Sequence, residues 1–217
     1  MTTILLIRHG QSTGNLINVL CGHKDFPLTP LGEKQAECVA SYLKKHYSID
    51  RIYSSPLLRA GSTAAPTSRE LGIPVAFEPD LIEICAGVWE GLGWDKLHQK
   101  YDEEHQRWLL DGDFCPEGGE PIRDFCQRVT DCFQRLAKRH NGECVALFCH
   151  SGAINRIYLS LIHTNPSLKQ HEEKYVLTNG SVTAVELDET GYPVAIPLFN
   201  YSGHLKDIFS TTPEGDA

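Results

Sequence analysis

No apolar stretch in the 217 residues approaches the ~20 that a membrane-spanning helix requires, so no such span is expected. An excess of cations is missing too: 20 Lys and Arg stand against 28 Asp and Glu, a formal charge of −8. Nucleic-acid binding needs an extended basic surface, and this composition does not supply one. The eight cysteines (Cys21, Cys38, Cys85, Cys115, Cys126, Cys132, Cys144 and Cys149) include no CxxC pair and no zinc-ligand spacing. That argues against a metal site and against a disulfide scaffold. The first apolar run begins at residue 4, which leaves no room for a targeting segment, so a reduced, cytoplasmic protein is expected. Repeats and linker-like segments are also missing. Residues 1–217 are therefore read as one domain, with the polar tail 211–217 expected to be disordered.

What is present is a short apolar run, Ile4-Leu5-Leu6-Ile7, that stops at Arg8-His9-Gly10. Such a run suits a buried parallel strand, although periodicity alone does not exclude a buried helix segment. Its length and the glycine favour the strand. Two later segments repeat the pattern: Arg51-Ile52-Tyr53 before Ser54-Ser55-Pro56, and residues 143–149 before His150-Ser151-Gly152. In an open parallel sheet, ligands bind beyond the carboxyl ends of the strands. Arg8, His9, Arg59 and His150 would then gather on one edge. Two guanidiniums and two imidazoles in one cleft suit a phosphoryl group on a small anionic substrate.

Between these strands, Thr29-Pro30 pairs an N-cap with a first-turn proline, predicting a helix to about His46. Ser55-Pro56 predicts a second such start, with Arg59 in the first turn of a helix to about Leu71. Residues 10–28 are expected to be mostly loop, and Leu81–Gly91 a loop closing over a site. Residues 92–120, with Trp94, Trp108 and Asp102-Glu103-Glu104, form a cap insertion. Helices are expected over 121–140 and from about Ala153 to Ile162, followed by a hairpin around Thr190-Gly191. His98, His105, His140, His163 and His171 lack ligand spacing and are taken as surface residues. The fold class is α/β: a three-layer α/β/α sandwich with a mainly parallel central sheet and a small helical cap.

The chain resembles the histidine phosphatase superfamily, the phosphoglycerate-mutase-like proteins, at Arg8-His9-Gly10, Ser54-Ser55-Pro56-x-x-Arg59-Ala60, Leu81-x-Glu83-x-x-x-Gly87-x-Trp89-Glu90-Gly91 and His150-Ser151-Gly152. Gly118-Gly119-Glu120 with Phe125 and Arg128, and Asn179-Gly180-Ser181-Val182, are similar to its secondary signatures. The resemblance implies a nucleophilic His9 that becomes phosphohistidine. Arg8, Arg59 and His150 would hold phosphoryl oxygens, and Glu83 would be the general acid and base. It also implies a polar contact from Asn15, a backbone N–H from Ser151 or Gly152, and a substrate-side position for Cys21-Gly22. No metal or cofactor is implied.

Those residue types fit the chemistry. Phosphoryl transfer asks mainly for in-line positioning and for neutralised equatorial oxygens. Arginine binds two oxygens through one planar fork and keeps its charge. A covalent intermediate splits the reaction into two easier steps, and one carboxyl can serve both.

The expected activity is that of a histidine acid-type phosphatase acting on small phosphomonoesters such as phosphoserine, sugar phosphates or nucleoside-type phosphates. Mutase-type phosphoryl transfer is the nearest alternative, and a non-catalytic phosphate-binding module is a further one. Mutases of this family carry an Arg pair in a longer insertion, whereas residues 92–120 offer only Lys96, Lys100 and Arg107, which favours hydrolysis. No nucleic-acid or membrane partner is expected. The oligomeric state is left open, a homodimer being one option.

Overall fold

The structure, a computed structural model, describes residues 1–169 and 177–210. Its centre is β1 (Thr2–Arg8), in which Ile4 to Ile7 are all fully buried. β1 runs parallel to β4 (Cys144–Cys149), with Leu6 opposite Leu147 and Arg8 opposite Cys149. β4 in turn pairs in parallel with β2 (Arg51–Ser54), and β2 with β3 (Val75–Phe77). On the other side, β5 (Val182–Leu187) lies antiparallel to β1 and forms the expected hairpin with β6 (Pro193–Tyr201). The order is β3-β2-β4-β1-β5-β6, so the sheet is mainly parallel, as the runs of apolar residues imply.

Beyond the single turn α1 (Thr13–Leu16) that follows β1, strand alternation sends side chains to two faces, and helices cover both. Ile4, Leu6, Val145, Leu147 and Cys149 pack under α5 (Ile122–Arg139) and α6 (Ser151–Thr164). Leu5, Ile7, Ala146 and Phe148 face α2 (Pro30–His46) and α3 (Leu58–Leu71). α2 begins as its sequence dictates: Thr29 Oγ1 accepts from the Gly32 N–H at 3.1 Å, and Pro30 fills the first helical position. The three-layer sandwich follows.

The cap has its own small core. Along α4 (Trp94–Leu110), Leu97, Tyr101, His105 and Trp108 recur at helical spacing and pack with Ala86 and Trp89. Two histidines therefore depart from the surface expectation. His105 lies on the inward stripe of α4, and His140 closes α5 against the Tyr53 hydroxyl (2.8 Å) and Glu143 (2.8 Å). His171 and the tail 211–217 lie outside the described residues. Among the described residues, no helix is long and apolar enough to cross a membrane.

Candidate active site

The loops leaving β1, β2 and β4 open at the carboxyl edge of the sheet, and the expected residues meet there. His9 extends the ladder past β1: its N–H donates to Cys149 O at 3.0 Å, while its carbonyl accepts from Gly180 N and Asn179 Nδ2, each at 3.1 Å. Gly10 then lies against the start of α2, so close that a Cβ there would stand 2.5 Å from Gly32 O. The His9 ring is oriented by the main chain of the next residue, Nδ1–H donating to Gly10 O at 2.7 Å. That bond fixes the tautomer and leaves the lone pair of the neutral ring on Nε2.

Arg59 is in the first turn of α3, as expected, and is 1% exposed. Its Nη1 donates to Lys24 O at 3.0 Å and its Nη2 to Gly22 O at 2.8 Å. The start of that helix differs from the expectation: Leu57, not Ser55, is its N-cap. The Ser55 hydroxyl instead meets His150 Nε2 at 2.8 Å. His150 is fully buried at the N-cap of α6, its ring 5.3 Å from that of His9. Arg8 donates through Nη1 to Leu177 O. Among the described residues, three buried nitrogens of this group have no protein partner: Arg8 Nε, Arg59 Nε and His150 Nδ1.

Glu83 sits opposite, its Oε1 accepting from Ile84 N and its Oε2 from Gly152 N, both at 2.9 Å. The Gly152 N–H, expected near substrate, is thus committed to this carboxylate. Arg128 braces the same loop, donating to Asp80 O, Ile82 O and Glu120 Oε1, and Glu120 Oε1 also accepts from Cys85 N. Asn15 shares a capping box with Ser12 and takes Asn179 Nδ2 on its Oδ1 at 3.1 Å. That leaves its amide nitrogen as the group still able to donate. Cys21 turns its thiol toward Val19 O (3.6 Å), and Gly22 serves the site through the carbonyl that holds Arg59. Ser151 opens α6 beside His150.

Residues 4–196 match the histidine phosphatase superfamily (branch 1). The chain belongs to that family. It is 32% identical, over 96% of its length and 85% of the other's, to a metal-independent phosphoserine phosphatase of Arabidopsis thaliana. A 2,3-bisphosphoglycerate-dependent phosphoglycerate mutase of Nitrobacter winogradskyi is 32% identical over 75% of this chain and 82% of its own. The crystal structure of an Entamoeba histolytica phosphoserine phosphatase with 3-phosphoglyceric acid superposes with a TM-score of 0.78. It is 30% identical, and the match covers 94% of this chain and 100% of that one. The chain spans about half (48%) of a bifunctional Mycobacterium tuberculosis protein that it also matches.

In this member of the superfamily, burial sets the charge states. His9 and His150 are held well below the ordinary imidazole range, first by desolvation and then by Arg59 and Arg8, so both rings are neutral near pH 7. Burial also lowers both guanidinium pKa values, with Glu83 opposing it, and raises that of the Cys21 thiol, with Arg59 opposing it. Among the described residues, no cluster of three His, Cys, Asp or Glu is placed to hold a metal ion.

Sequence reasoning missed several supporting groups: Ser55 behind His150, Thr63 on the Gly10 N–H (3.0 Å), Asn179 on the His9 carbonyl, and His23. Ser55 and Asn179 stood inside quoted motifs. Thr63 and His23 carry no local signal, because only folding brings them to the site.

Proposed function

We propose that this protein is a metal-independent phosphatase, a phosphoric monoester hydrolase of the histidine acid type, that works through a phosphohistidine on His9. The observation that carries the reading is the set of three buried, unpartnered nitrogens on Arg8, Arg59 and His150 around a neutral His9. Leaving a buried donor unsatisfied costs about 1–3 kcal/mol, and a phosphoryl group supplies the missing acceptors. Ser55 O–H donating to His150 Nε2 would leave Nδ1–H for a phosphoryl oxygen.

In the first step the His9 Nε2 lone pair attacks phosphorus, and the P–O bond to the leaving group breaks as the Glu83 carboxyl protonates that oxygen. In the second step Glu83 takes a proton from water, which attacks phosphorus and breaks the P–N bond. Phosphate leaves, and Nε2 regains its lone pair. Arg8, Arg59, His150, Asn15 and the Ser151 N–H serve the equatorial oxygens, while Gly152 acts through Glu83. Cys21 and Gly22 line the approach.

Hydrolysis is favoured over mutase chemistry by the cap. Lys96, Lys100 and Arg107 are exposed on α4, and Arg107 is paired with Asp111 and lies over Phe114. A small phosphorylated metabolite is the proposed substrate, phosphoserine being one supported by the relatives. The proposed location is the cytoplasm, which the eight free thiols support. Phosphate release from a panel of phosphomonoesters in chelator tests the reading. Release by wild type that His9→Ala abolishes is expected. Chelator-sensitive release, or an active His9→Ala, overturns it.

A further inference from the structure

His23 lies between the two residues whose carbonyls hold Arg59, Gly22 and Lys24. Its ring does not point away from that loop's business. Nε2 meets the main-chain carbonyl of Glu83 at 2.7 Å, so it carries a proton and donates. Its backbone N–H donates to Glu90 Oε1 at 2.8 Å, and the same oxygen accepts from Ala86 N at 3.0 Å. Glu90 in turn leaves no room for a side chain at position 22, where a Cβ would stand 2.2 Å from Oε1. Arg128 Nη2 also reaches the Glu83 carbonyl, but at 3.5 Å, so the imidazole is the closer donor. The ring is partly open to solvent (36% of its side-chain surface) and lies within electrostatic range of His150.

We infer that His23 is a positioning residue that ties the loop holding Arg59 to the loop carrying Glu83. The inference rests on the proposed role of Glu83 as proton donor. His23 holds the peptide at Glu83, and with it the direction of the carboxyl that accepts from the Gly152 and Ile84 N–H groups. A displacement of about 1 Å at a proton donor costs up to ~10²-fold in rate.

The leaving group makes this readable. An alkyl phosphate expels a strongly basic alkoxide and needs the proton; p-nitrophenyl phosphate expels a stable phenolate and needs it far less. The quantity to measure is kcat/KM for phosphoserine divided by that for p-nitrophenyl phosphate, in wild type, His23→Leu, His23→Gln and Glu83→Gln. In His23→Leu the ratio falls about tenfold or more, part of the ~10²–10⁴ that a positioned acid contributes. His23→Gln, whose amide N–H reaches the same carbonyl, brings the ratio back toward wild type. Should His23→Leu not fold, His23→Asn, with an amide one bond shorter, is expected to lower the ratio in its place. An unchanged ratio in His23→Leu or His23→Asn, beside a collapsed ratio in Glu83→Gln, overturns the role of His23 alone. A Glu83→Gln ratio equal to wild type overturns the acid assignment and, with it, this inference.

Discussion

Glu83 and Gly152 fit each other so closely that any side chain at position 152 must displace the carboxylate. The carboxylate takes the Gly152 N–H at 2.9 Å, and a Cβ on residue 152 would stand 2.2 Å from Oε1. The glycine in His150-Ser151-Gly152 is thus explained by an acid brought in from almost 70 residues away, not by turn geometry.

Gly152→Ala separates fold from chemistry. Alanine is the better helix former by up to about 1 kcal/mol, which offsets the crowding against the movable end of Glu83, so the melting temperature is expected to move by only a few degrees. The displaced Glu83 should lower kcat for alkyl phosphates by roughly 10²-fold, within the range of a mispositioned acid. Thermal melts beside steady-state kinetics check both halves.

Arg59→Lys is a second test. The lysine keeps the charge but not the fork that spans Gly22 O and Lys24 O while presenting Nε. A kcat/KM loss of roughly 10²–10³ is expected, comparable with removal of one preorganised donor. Inorganic phosphate, as a product inhibitor, should also bind more weakly. Equal inhibition constants in the two proteins would remove Arg59 from the phosphoryl site.

The buried histidines predict a pH dependence of stability. His9 and His150 have folded pKa values well below the ordinary ~6.5. Below that value the unfolded chain binds more protons than the folded one, so stability falls as pH drops. The stability is fully present above about pH 6.5 and is lost progressively beneath it. Each ring contributes about 1 kcal/mol per pH unit in that window. Urea denaturation midpoints between pH 7 and pH 5 should show the slope, and His150→Gln should reduce it.

The strands and the residues at their tips were legible in the order of amino acids alone. Four fully buried apolar residues in β1 leave little choice but a central strand, and Arg8-His9 at its end follows from where that run stops. Helix starts were legible where a side chain caps its own backbone, as Thr29 does. The start at Ser55 was misread because a hydroxyl that can cap a helix can equally serve a buried imidazole, and the partner, His150, is 95 residues away. His105, taken as a surface residue for want of ligand spacing, is buried instead, because packing against Trp89 and Trp108 claims its ring. The motifs thus named the groups that suit phosphoryl transfer. What holds them came from folding: carbonyls 22 and 24 under Arg59, Gly152 and His23 around Glu83, and Asn179 behind His9. Those are hydrogen bonds between distant segments, and no local pattern encodes a partner that only the fold brings within hydrogen-bond reach.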